Sequence, residues 1–117
     1  MKTAYMVLAL ILILTACAKQ STTGQVTQTP PSGGATYNIA ISNFAFSPSD
    51  QTIRVGDTVV WTNNDPLPHS VTSDSGSELS SSDLSTGRTY SHTFNTPGVF
   101  TYHCGVHPNM KGQITVQ

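Results

Sequence analysis

The chain has 117 residues, of which 37% are apolar and only 9% charged, and its 5 basic and 6 acidic side chains leave a formal net charge of −1. That length suits one domain rather than two. The charge balance excludes a protein that works on nucleic acid, because no basic excess exists to neutralise a row of phosphates.

The N-terminal stretch reads as a targeting device. Met1, Ala4 to Leu14, Ala16 and Cys17 are apolar, Lys2 supplies a positive charge ahead of them, and the uncharged run is shorter than the ~20 residues of a spanning helix. Residues 1–16 are therefore expected to be a secretory signal peptide. Leu14-Thr15-Ala16-Cys17 resembles the lipobox of prokaryotic lipoprotein signals, which implies cleavage before Cys17 and lipid on its thiol. The alternative is a plain signal peptide cut after Ala16, with Cys17 unmodified. Several acyl chains on one residue would hold a membrane more firmly than the single chain whose binding is marginal. Without residues 1–16, Lys19, Arg54, Arg88 and Lys111 face the 6 acidic side chains, so the expected mature surface is mildly acidic and sparsely charged. Residues 17–35 are rich in Ser, Thr, Gln, Gly and Pro, with Val26 the one sizeable aliphatic. They cannot bury enough apolar surface to offset their ordering entropy, and read as a flexible tether.

From Thr36 onward (residues 36–117) the pattern is that of strands, with no amphipathic helix. Tyr37, Ile39 and Ile41 alternate with polar or small neighbours, and Phe44 and Phe46 continue in the opposite phase, which predicts a bulge or bend. Ile53 to Val55 reads as a short strand, Gly56-Asp57 as a turn, and Thr58 to Thr62 as a strand with Val59 and Trp61 inward. Further strands are predicted at His69 to Thr72, Arg88 to Asn95, Val99 to Cys104 and Gly112 to Val116, with Pro97-Gly98 a turn. About seven short strands joined by Gly and Pro turns predict an all-β fold, a small antiparallel sandwich or barrel. An eighth strand is left open, after Cys104 or within Asp74 to Leu84. Trp61, Phe44, Phe46, Tyr90, Phe94 and Tyr102 are the expected aromatic core.

Such a domain is marginal in size, and with Cys104 as its lone thiol it cannot form an internal disulfide; a bound metal is an alternative staple. Cys104-Gly105-Val106-His107-Pro108-Asn109-Met110 places a thiolate, an imidazole and a thioether at C-x-x-H-x-x-M spacing. That soft set favours copper over the hard cations, which prefer oxygen, and a blue-copper centre needs a second imidazole. His69, after Pro66-Leu67-Pro68, is the candidate. Each residue also has a plainer reading: Cys104 as a small buried hydrophobe, His69 as a surface turn residue, Met110 as core filler. His92 and His103 have no comparable support and read as hydrogen-bonded or partly exposed, with His103 facing away from the Cys104 side.

The stretches Val55-Gly56-Asp57-Thr58-Val59-Val60-Trp61-Thr62-Asn63-Asn64-Asp65, Pro68-His69 and Thr96-Pro97-Gly98-Val99-Phe100-Thr101-Tyr102-His103-Cys104 resemble the plastocyanin and amicyanin family of cupredoxins. The ligand-loop spacing is similar to that of amicyanin. The resemblance implies a Greek-key β-sandwich of seven to eight strands and one type 1 copper ion held by His69, Cys104, His107 and Met110. It further implies an electron carrier whose His107 reaches the surface through an apolar patch, here lined by Pro66, Leu67, Pro68, Val106, Pro108 and Asn109, where redox proteins dock. Asn63 or Asn64, and Ser70, are expected around the ligands. Ser70 stands where the family has Asn tying two loops together, and Pro108, without an N–H, cannot donate to the sulfur. A unit of this size has no room for a substrate pocket or further copper sites, so an enzyme is not expected. The expected protein is a monomer, lipid-anchored outside the cytoplasm, whose docking depends weakly on salt. Two other readings use the same residues: a lipoprotein that delivers copper, and a zinc-bound or metal-free adhesion-like domain.

Overall fold

A computed structural model describes residues 34–117. The segments read as signal peptide and tether lie outside them, apart from residues 34 and 35. The described residues form eight strands and no helix: β1 (Thr36–Ser42), β2 (Ala45–Ser47), β3 (Asp50–Ile53), β4 (Thr58–Asn63), β5 (Thr72–Ser73), β6 (Thr89–Thr93), β7 (Gly98–His103) and β8 (Lys111–Val116). Alternation gives the long strands one buried face: Ile39 and Ile41 on β1, Val59, Trp61 and Asn63 on β4, Ile114 and Val116 on β8. Those faces close a core between two four-stranded sheets, ordered β2-β1-β4-β6 and β3-β8-β7-β5.

The sheets are mixed, not purely antiparallel. β1 runs parallel to β4, and β3 parallel to β8. Alternation decides which face of a strand is buried but not its neighbour, and a crossover through the other sheet delivers a strand in the same direction.

The phase change between Ile41 and Phe46 is a hairpin rather than a bulge. Ser42 pairs with Ala45 and Ile41 with Phe46 across a two-residue turn in which Asn43 (φ 54°) and Phe44 (φ 57°) are both left-handed, as a tight hairpin of the I′ kind requires. β2 is thus the eighth strand; Asp74 to Leu84 contributes only isolated bridges, Thr72 to Ser80 and His69 to Leu84. Phe44 at the turn is exposed and outside the core, unlike Trp61, Phe46, Phe94 and Tyr102. Val55 is exposed too, in a turn where Gly56 takes φ 95° and the Asp57 carboxylate accepts from the N–H groups of Arg54 (2.9 Å) and Ala35 (2.7 Å). His69 precedes the short β5 and does not begin a strand.

Tyr102 joins the two sheets. Its ring meets Trp61 edge-on and its hydroxyl accepts from Trp61 Nε1 at 3.1 Å. Burial, chiefly, pushes its phenol up to about 12. Opposite it stands Gly112, where a Cβ would fall 2.3 Å from the tyrosine Cζ and Oη. The glycine leaves the space that the ring fills.

Candidate metal centre

Three connections converge at one end of the sandwich. Cys104 follows β7 and shares the inward phase of Tyr102, so its thiol is fully buried, while His103 points the other way. The chain returns within a few residues, closed by Cys104 N–H to Met110 O (3.0 Å) and Met110 N–H to His107 O (2.9 Å). His69 sits in the β4–β5 connection, held by exchanged backbone bonds with Leu84 (3.1 and 2.7 Å). Asn63 anchors that connection: its buried amide donates to Leu67 O (2.8 Å) and Leu84 O (2.7 Å) and accepts from Asp65 N–H (2.9 Å).

His69, Cys104 and His107 thereby meet. Cys104 Sγ lies 3.6 Å from His69 Nδ1 and 3.9 Å from His107 Nδ1, and the two nitrogens are 3.2 Å apart. The centre of that triangle is about 2.1 Å from each donor, within the roughly 2.0–2.3 Å span of zinc–imidazole and zinc–thiolate bonds. An ion of similar size therefore fits without moving the side chains. Met110 is buried at the end of the same loop. Ser70 donates its N–H to Cys104 Sγ (3.3 Å), and its hydroxyl accepts from Gly105 N–H (2.8 Å), so it ties the two ligand-bearing loops together. A Cβ on Gly105 would stand 2.9 Å from the Ser70 hydroxyl. Asn64 is exposed and reaches Ile41 O through its backbone N–H.

Two residues at the site are not among the neighbours expected from the sequence, where Asp65 only closes the family-like stretch Val55 to Asp65 and Phe44 reads as core. The Asp65 carboxylate accepts from Asn43 N–H (2.7 Å) and Phe44 N–H (2.9 Å) and lies 2.9 Å from His69 Nε2. The Phe44 N–H above all, with those of Asn43 and the His69 ring, holds this carboxyl below its ordinary 3.8 against the opposing effect of burial. Phe44 itself, phased like a core residue, sets its ring edge-on to His69 (5.3 Å between centroids) and to His107 (5.1 Å). His92 and His103 stand outside the cluster, paired with Glu78 (2.5 Å) and Asp74 (2.6 Å).

Residues 34–117 match the family described as copper binding proteins, plastocyanin/azurin family. The chain is a cupredoxin of that family. It is 34% identical to amicyanin-alpha of Methylorubrum extorquens over 80% of each chain, and 42% identical to a plastocyanin of Scenedesmus fuscus, covering 62% of this chain and 86% of the relative. Among solved structures, a purple cupredoxin from Nitrosopumilus maritimus is 34% identical with a TM-score of 0.64, over 69% of this chain and 99% of the other. The donor set of this cupredoxin suits copper: thiolate and imidazole are soft and borderline ligands, and among the described residues no carboxylate joins the cluster. The loops that bring these ligands together also carry exposed apolar side chains, Phe44 48%, Leu67 46% and Val106 43% exposed, and His107 is half-buried with the Phe44 ring edge-on to it.

Proposed function

We propose that this cupredoxin carries single electrons between redox proteins outside the cytoplasm, through one type 1 copper ion that His69, Cys104, His107 and Met110 would hold. The preformed donor triangle carries the reading: three donors 3.2 to 3.9 Å apart, on loops already locked by Asn63, Ser70 and Leu84. A frame that holds its ligands in place before metal arrives suits an ion that must change oxidation state with little rearrangement. Copper supplies the one-electron couple. The chain supplies the fixed ligands, the Ser70 N–H that hydrogen-bonds the sulfur and tunes the couple, and a buried thiol shielded from water. His107, half-buried beside Phe44, is the exit, and exposed apolar side chains of this kind fit the small, weak interfaces of transient redox encounters.

Residues 1–16 are the signal peptide, residues 17–35 the tether from a lipid on Cys17, and residues 36–117 the copper domain. In cells fed labelled palmitate, the parent chain is expected to incorporate label and partition with membranes, and Cys17→Ser to lose both; label retained in the variant would refute the anchor.

Electron carriage and copper delivery part on one measurement. The copper-loaded chain is expected to cycle reversibly between Cu(II) and Cu(I) at an electrode with the metal retained in the presence of a competing Cu(I) chelator. Rapid surrender of Cu(I) to the chelator would favour delivery and overturn electron carriage.

A further inference from the structure

We propose that Asp65 is a positioning residue for the copper centre: its carboxylate sets the tautomer of His69 and, by its charge, favours the oxidised over the reduced ion. The proposal rests on the reading of His69 as a copper ligand.

His69 turns Nδ1 toward Cys104 and His107 and Nε2 toward Asp65. A neutral imidazole binds a metal through the nitrogen that lacks hydrogen, so its proton must sit on Nε2. A proton there, on a fully buried ring, needs an acceptor. Asp65 Oδ2 stands at 2.9 Å and is the acceptor found. A ligating histidine with its far N–H on a carboxylate is fixed in orientation and becomes a more basic ligand.

The carboxylate is itself fixed. Oδ1 takes the Asn43 N–H and Oδ2 takes the Phe44 N–H as well as the His69 ring. The Asp65 main chain is bonded at both ends, its N–H to Asn63 Oδ1 (2.9 Å) and its carbonyl from Thr86 Oγ1 (2.6 Å). Every nearby partner is a donor, which an ionised carboxylate satisfies and a neutral amide cannot. Among the described residues the only ionic partner of Asp65 is His69, so its charge is not cancelled by a Lys or Arg. A buried negative charge one imidazole away stabilises the doubly charged ion more than the singly charged one. The same oxygen also holds the left-handed Phe44 whose ring abuts both imidazoles, so one side chain positions a ligand and the exposed aromatic beside the exit.

Two substitutions separate the charge from the acceptor. In Asp65→Asn, the amide oxygen can keep the His69 and Phe44 bonds while its NH2 meets the Asn43 N–H, so the tautomer survives and the charge is lost. Cu(II) affinity is then expected to fall more than Cu(I) affinity, and each tenfold excess raises the reduction potential by about 59 mV for one electron. In Asp65→Ala the acceptor goes too, and Cu(II) affinity is expected to fall about 10- to 100-fold, as when other outer partners of metal-bound histidines are removed. Voltammetry and competitive copper titration on the full chain read both. An unchanged potential in Asp65→Asn overturns the proposal. Nitrogen-15 NMR of the parent protein in its diamagnetic Cu(I) form needs no variant: hydrogen on His69 Nε2 supports the assignment, and hydrogen on Nδ1 overturns it. A parent chain that takes up copper without thiolate absorption would refute the copper reading itself and this proposal with it; normal absorption with an indifferent Asp65→Asn refutes this proposal alone.

Discussion

Cys104→Ser is expected to abolish the intense visible absorption that Cu(II) produces in the parent protein and to leave the apo fold in place. The band comes from charge transfer out of a thiolate, and Cys104 is the one thiol among the described residues. A serine hydroxyl is a hard, weakly acidic donor and a poor substitute for thiolate toward copper. The substitution is close in volume, so the cost to the apo protein should stay within the ordinary range of about 0.5–3 kcal/mol for single changes. Absorption titration with Cu(II) and a denaturant curve on the same samples check both halves. A variant that keeps the band would remove the thiolate from the site; one that loses the fold would make Cys104 a packing residue first.

Trp61→Ala should have the largest effect on stability. The indole is completely buried, packs edge-on to Tyr102 and tilted against Tyr90, and donates to Tyr102 Oη at 3.1 Å. Truncating a buried tryptophan costs about 3–5 kcal/mol, a large share of the roughly 5–15 kcal/mol that holds a domain together. The loss has two parts, because the cavity is joined by a buried tyrosine hydroxyl left without its donor. Trp61→Phe keeps most of the packing and should recover much of the difference. Urea midpoints of the metal-free full chain give the comparison. A loss below about 1 kcal/mol for Trp61→Ala would mean the core collapses around the gap.

How much of this was legible in advance follows from how local each feature is. Strand faces show in alternation, and the buried sides of β1, β4 and β8 emerge at Ile39, Ile41, Val59, Trp61, Ile114 and Val116 as expected. The Asn43-Phe44 hairpin was not legible: the turn has no glycine, and the left-handed backbone of Phe44 is held by a carboxylate 21 positions away. An aromatic in strand phase then looks like core, whereas the turn carries it out beside His107. Ser70, expected beside the ligands, stands where the family has Asn, and its hydroxyl takes over the loop-tying bond by receiving the Gly105 N–H across 35 positions. Asp65, one acid in a proline-rich loop, has no periodicity to betray it.

The sequence by itself determined that the domain is all-β and that its metal donors are of the soft and borderline kind: thiol, imidazole and thioether within one short loop, Cys104 to Met110. These features depend on neighbours a few positions apart, where chain geometry leaves little freedom. Only the tertiary structure decided which strands pair, that two of the pairings are parallel, and that His69 comes within 3.6 Å of Cys104 from 35 positions away with Asp65 behind it. Contacts of that kind are set by the stacking of two sheets and the loops it brings to one end, and no local pattern of residue types encodes them.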